Sequence, residues 1–107
     1  MLAINLGGEG EIPDVINQQG PWALAPAWRS SRDGKTLQEL AKDHVFLIAP
    51  NDPLPFPDNT VDVVYTESVP INVTTWLGPG VQSSEIKRIL KSGGQWIDNG
   101  VVVWTKP

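Results

Sequence analysis

The sequence predicts a small α/β domain whose mostly parallel sheet closes in a C-terminal antiparallel hairpin. Three observations carry that expectation. Val61, Val63, Val64 and Tyr65 are strand formers placed directly after Pro-Asp-Asn turn chemistry. Strand, helix and strand patterns alternate through the middle of the chain, which favours a parallel sheet over a sandwich. Asp98-Asn99-Gly100 before a valine run is hairpin chemistry. At 107 residues the chain is about one ordinary domain, long enough to close a single core, so one domain over residues 1–107 is expected.

Taken in order, Leu2 to Leu6 reads as a strand with Asn5 among its apolar residues, breaking into the glycine-rich turn Gly7-Gly8-Glu9-Gly10-Glu11. A short second strand is expected at Val15 to Asn17. Gly20 to Gly34 carries prolines and paired serines and reads as a long loop with at most one helical turn; such loops are functional covers or poorly ordered. Thr36 and Glu39 have capping-box spacing, and Leu37, Leu40 and Ala41 share a face, so a helix is expected over Lys35 to Asp43. Val45 to Ala49 follows as a strand closed by Pro50-Asn51-Asp52-Pro53. Ser83 or Ser84 can cap a second helix with Ile86, Ile89 and Leu90 as its buried stripe and Gly93-Gly94 as its stop. Gln95 to Asp98 is the fifth strand, and Val101 to Thr105 returns beside it.

Composition narrows the chemistry. Zero cysteines remove disulfides, thiolate metal sites and thiol nucleophiles, and a lone histidine, His44, makes a multi-histidine metal cluster impossible, so no metal is expected. No apolar run approaches the ~20 residues that span a bilayer, and the N-terminus lacks the order of a signal peptide. A net charge of −4 argues against a broad phosphate-tracking surface, although a local patch of Arg29, Arg32 and Lys35 survives that average. Nucleic acid is therefore not the expected partner.

LPFPDNTVDVVYTES (Leu54 to Ser68) and EIKRILKSGG (Glu85 to Gly94), in that order and at that spacing, with AINLGGEGEIPDVIN (Ala3 to Asn17) ahead of them, resemble class I S-adenosylmethionine-dependent methyltransferases in a short form. The resemblance implies a Rossmann-like fold, truncated relative to full methyltransferases, with S-adenosylmethionine as its small-molecule cofactor. It implies that Gly7, Gly8 and Gly10 let the backbone approach the methionine and ribose, that Asn5 is among the cofactor-binding residues, and that Asn51 and Asp52 lie near the adenine. Glu9 and Glu11 support a cationic ligand over a dinucleotide: a unit-charge contact at ~4 Å is worth ~1 kcal/mol in water and ~4 at an effective dielectric of 20, so a pyrophosphate would be repelled and a sulfonium would not. No helix pattern begins after Gly10, so the anion site of dinucleotide folds is not expected. The glycines are equally readable as a plain tight turn.

The departures are as informative. Where the family holds both ribose hydroxyls with an acid after its second strand, this chain reads Asn17-Gln18-Gln19, and Gln19 offers a neutral acceptor worth ~1 kcal/mol in place of a charged one worth ~1.5–3. Ser68, Pro70, Ile71 and Asn72 stand where the family often shows histidines. An open α/β sheet binds ligands at the C-terminal ends of its strands, which singles out Thr66, Glu67 and Ser68. Glu67 and Ser68 are the candidate catalytic pair, as base or near the methyl acceptor, or else simply open a loop. His44 reads as a complement to a helix dipole. Trp22, Trp28 and Trp76 fall in loops, as a cover over a cleft or as satellite packing, whereas Trp96 and Trp104 read as packing across the hairpin.

Three functions stay open: a small methyltransferase working by alignment of the acceptor; the same fold without methyl transfer, acting as a toxin on a nucleotide or RNA; and a non-catalytic module that docks a protein through its tryptophans. GEGEIPDVINQQGPW (Gly8 to Trp22) resembles C-terminal toxin modules of bacterial polymorphic toxins. That resemblance implies a domain cut from a larger secreted protein, acting in the cytoplasm of the target cell, with a cognate immunity protein as partner; without it the expected location is cytoplasmic.

Overall fold

In the computed structural model, which describes residues 1–107, the strands are β1 (Ala3–Leu6), β2 (Ile16–Gln19), β3 (Val45–Ile48), β4 (Val61–Thr66), β5 (Thr74–Thr75), β6 (Gly78–Pro79), β7 (Leu90–Asp98) and β8 (Val101–Thr105). The helices are α1 (Leu37–Leu40) and α2 (Ser83–Ile89), and Pro21–Leu24 makes a single 3-10 turn. One sheet runs in the order β3-β2-β1-β4-β7-β8, its first five strands parallel and β8 antiparallel, which is the small Rossmann-like arrangement the sequence predicts. From β1 the chain steps outward to β2 and β3, then crosses to β4 on the other side. The strand order therefore reverses between β1 and β4, the place where open α/β sheets form their ligand crevice.

Alternation along the strands sets the core. Ile4 pairs opposite Val64 and Leu6 opposite Thr66, so one sheet face presents Ile4, Leu6, Val61 and Val64 to Ile86 and Ile89 of α2, with Leu54, Val81 and Leu90 completing a fully buried cluster. Truncating one of these, such as Ile86→Ala, removes ~2–5 kcal/mol by lost burial and a residual cavity. The opposite face carries Asn5, Asn17, Tyr65 and Phe46 in one row; no helix follows β1, and the link from Gly7 to Val15 covers the two asparagines. Both are fully buried.

The helices are shorter than their patterns. The capping box of α1 forms as expected, with the Glu39 amide donating to Thr36 Oγ1 at 3.1 Å and the Thr36 amide to Glu39 Oε1 at 3.1 Å. It ends at Leu40, because the Asp43 and His44 amides both fold back onto the Leu40 carbonyl and turn the chain into β3. Neither serine caps α2: Ser83 is its first residue, and its amide donates to Oδ1 of Asn72 at 2.9 Å, a cap lent by the preceding loop. Nor does Gly93-Gly94 end it. Leu90 turns extended at ψ 140 and pairs with Val61, so burying Leu90 in the sheet core overrides helix propensity one turn early. The strand expected at Gln95 consequently begins at Leu90, with the register shifting between Val61 and Val63 to take up Lys91 to Gly94. The hairpin of β5 and β6, which no sequence pattern announced, carries Trp76 at its tip with 92% of its surface exposed.

Candidate functional site

A cavity of about 560 Å³ opens at the C-terminal edge of the sheet, over the reversal between β1 and β4. Its floor comes from Gly7 after β1, Gln18 and Gln19 of β2, Asn51 after β3, and Glu67 and Ser68 after β4. Trp22, Trp28, Ser31 and Arg32 of the long loop roof it, and Thr75, Leu77 and Pro79 of the small hairpin form the far wall. The volume lies within the range of small-molecule sites.

Buried amides tie the floor together. Gln18 accepts the Gly7 amide at 3.3 Å on Oε1 and donates from Nε2 to the Ala49 carbonyl at 2.8 Å and to Asn51 Oδ1 at 3.1 Å. Asn51 in turn donates to the Pro79 carbonyl at 3.0 Å, which joins the hairpin wall to β2. Gln19 Nε2 donates to the Gly8 carbonyl at 2.9 Å and is 5% exposed.

The glycine turn is held from below. Glu11 accepts from Asn5 Nδ2 and, at 3.0 Å, from the Glu9 amide; the Gly10 amide reaches Asn17 Oδ1 at 3.2 Å. Gly8 is wedged between the side chains of Asn5 and Asn17, leaving no room for a Cβ. Gly10 has φ +87, and a Cβ on it would stand 2.6 Å from the His44 ring. His44 thus packs on the turn. Glu9 latches the roof: it accepts the Ser31 amide at 3.1 Å, the Ser31 hydroxyl at 3.0 Å and the Arg32 amide at 3.2 Å. Within that loop the Ser30 hydroxyl donates to Asp33 and foremost holds its carboxyl below the usual range; burial opposes it, and the Lys35 amide and the nearby Lys35 and Arg32 charges add to the lowering.

The exit of β4 is clamped by the turn between β7 and β8. The Asn99 amide donates to the Thr66 carbonyl at 2.9 Å, Asn99 Oδ1 accepts the Ser68 amide at 2.8 Å, and Thr66 Oγ1 joins Trp96 Nε1 at 2.9 Å to Asp98 at 2.7 Å. Ser68 sits at φ 56, a strained conformation for a residue with a side chain. Glu67 lies between these two clamped neighbours, half-buried as a residue, and its carboxylate makes no hydrogen bond or ion pair within the chain.

Of the residues singled out from sequence, Gly7, Gln19, Asn51, Glu67 and Ser68 line this one cavity. Asn5, Gly8 and Gly10 lie beneath it as packing for the turn, and Asp52 faces a smaller neighbouring cleft of about 280 Å³ shared with Trp22 and Asn51. Sequence reasoning missed Gln18, whose only signal is an amide inside a strand. Three carboxylates, Glu9, Glu11 and Glu67, face one guanidinium, Arg32, which suits a cationic ligand, while the amides of Gln19 and Asn51 suit hydroxyl and ring-nitrogen edges. No group of three or more residues fit to hold a metal ion occurs, and no helix is long and apolar enough to cross a membrane. A family model described as a methyltransferase domain matches residues 22–97, a span that contains the strand, loop and helix of the two specific motifs and leaves the glycine turn outside. No curated protein and no solved structure matches the chain.

Proposed function

The chain belongs to the methyltransferase domain family, and on that premise we propose that it binds S-adenosylmethionine, the usual ligand of the family, in the cavity at the strand ends and acts as a small methyltransferase. The observation that carries this reading is the joint lining of one cavity by Gly7, Gln19, Asn51, Glu67 and Ser68, residues from the ends of four parallel strands. Gln19 and Asn51 would hold the ribose and adenine, the backbone at Gly7 the methionine part, and the excess of carboxylates the positive charge. When bound, the cofactor supplies an activated methyl group on a positively charged sulfur. The protein's task is alignment: Asn99 and Thr66 fix the backbone at Glu67 and Ser68, and the roof loop, tied down through Glu9, partly covers the cavity. Titration with S-adenosylmethionine in a calorimeter tests the reading. One saturable site is expected; no heat up to about 1 mM ligand would falsify it.

The resemblance of Gly8 to Trp22 to polymorphic-toxin modules supports a second reading, in which a larger secreted protein delivers the domain into a target cell and an immunity protein is its partner. Expression inside bacteria separates the two. Growth arrest relieved by Glu67→Ala supports the toxin reading, and undisturbed growth removes it.

A further inference from the structure

Of the carboxylates facing the cavity, one is unspoken for. Glu9 is saturated by the Ser31 and Arg32 donors, Glu11 takes Asn5 and the Glu9 amide, and Arg32 stands 3.9 Å from Asp33. Glu67 has no partner, although it is half-buried and its backbone is held by the clamp at Thr66 and Ser68. A carboxylate that faces a cavity and has no partner within the chain is free to accept a hydrogen bond from a ligand that brings a cation or a donor to it, and charge-assisted bonds are the stronger kind. The surroundings define the rest of the ligand. Val69 and Pro70 continue from Glu67, and Leu77 and Trp28 line the same cavity, so apolar and aromatic surface is available to the body that carries the charge.

We infer that the β4 end of the cavity is a subsite for an ammonium group carried on an apolar, aromatic-sized body, with Glu67 as its counter-ion. This deepens the methyltransferase reading and rests on it, since the subsite is where the methyl acceptor would sit, making the acceptor an amine that binds as ammonium and would give one proton to Glu67 before its freed lone pair could form the new N–C bond as the methyl–sulfur bond breaks. Gln19 and Asn51 lie on and beyond β2, two strand spacings, roughly 10 Å, from the line of β4, which leaves the adenosine end and the ammonium end of the cavity separate.

Three probes with one ring system test it by calorimetry on the whole chain: tryptamine, neutral 3-ethylindole and indole-3-propionate. Tryptamine is expected to bind saturably and about tenfold or more tighter than the other two, the low end for a hydrogen bond to a charged group. Glu67→Gln should erase that preference and Glu67→Asp should keep most of it; because Glu67 makes no side-chain bond within the chain, circular dichroism of both variants should match the parent. Equal binding of the three probes, or unchanged preference in Glu67→Gln, overturns the inference. So does a Glu67→Gln variant that loses S-adenosylmethionine and not tryptamine, which would assign Glu67 to the cofactor. A Glu67-dependent preference supports the subsite even if S-adenosylmethionine itself gives no heat, an outcome that fails the methyltransferase reading alone.

Discussion

Gln19 stands where the resemblance to methyltransferases implies an acid, and its geometry says what a neutral amide does there. Its amide nitrogen is spent on the Gly8 carbonyl, leaving the oxygen as an uncharged acceptor at the end of β2. Gln19→Glu restores the charge: affinity for S-adenosylmethionine should rise about 2- to 30-fold by titration, while stability falls by ~1 kcal/mol because Gly8 loses its donor. Gly10→Ala should cost ~2 kcal/mol or more in denaturant unfolding, since both φ and the His44 ring oppose a Cβ. Glu85 shares the acid limb with Asp33, Glu39 and Asp62, whose carboxyls are also held below the usual range. It accepts Arg88 Nε and Nη2 at 2.9 Å and the Leu54 amide at 2.7 Å; the Arg88 hydrogen bonds foremost hold its carboxyl below the usual range, with burial opposing. A carboxyl depressed in the folded state contributes fully above its unfolded value and loses that contribution as pH falls through the folded one. Stability should therefore drop below about pH 4.3, and Glu85→Gln should remove its share of that drop, leaving a shallower limb, while lowering stability at pH 7 by ~1–2 kcal/mol, read from urea midpoints across pH. The strand-end rule exposed Glu67 and Ser68 in the sequence, but the partners of Gln19 and the emptiness around Glu67 depend on residues far along the chain, which no local pattern encodes.

Elements tell the same story of tertiary contacts adjusting local preference. α2 borrows its cap from Asn72, which holds φ 58 and trades bonds with both the amide and hydroxyl of Ser83. Asn72→Ala should cost about 1 kcal/mol in thermal or urea unfolding, the usual loss for a cap, whereas Ser84→Ala should cost little. The amphipathic stripe of Ile86, Ile89 and Leu90 was legible as burial and all three residues are core, yet the conformation of Leu90 was not, because Val61 competes for its backbone. The hairpin of β5 and β6 stayed invisible for a plainer reason: two residues per strand give no periodicity to read.

At the scale of the molecule, alternating strand and helix patterns announce a parallel sheet and a ligand at its strand ends, whereas the strand order and the reversal between β1 and β4 are set by tertiary packing that no pattern encodes. Helix packing covers the sheet face that carries Ile4 and Val64, and β3 and β8 are edges with Val45 and Val101 more than half exposed. Amide exchange should rank accordingly: slowest in β1 and β4, fast in the β5–β6 hairpin and the edge strands, an ordering that a uniform profile would contradict. The five indoles are also distributed unevenly. Trp96 and Trp104 pack against the core, Trp76 stands in solvent, and Trp22 and Trp28 look into the cavity. Two of the chain's own chromophores therefore watch the site while the other three supply a constant background. A change in emission on adding a small molecule would report occupancy there directly, with no label attached to the protein.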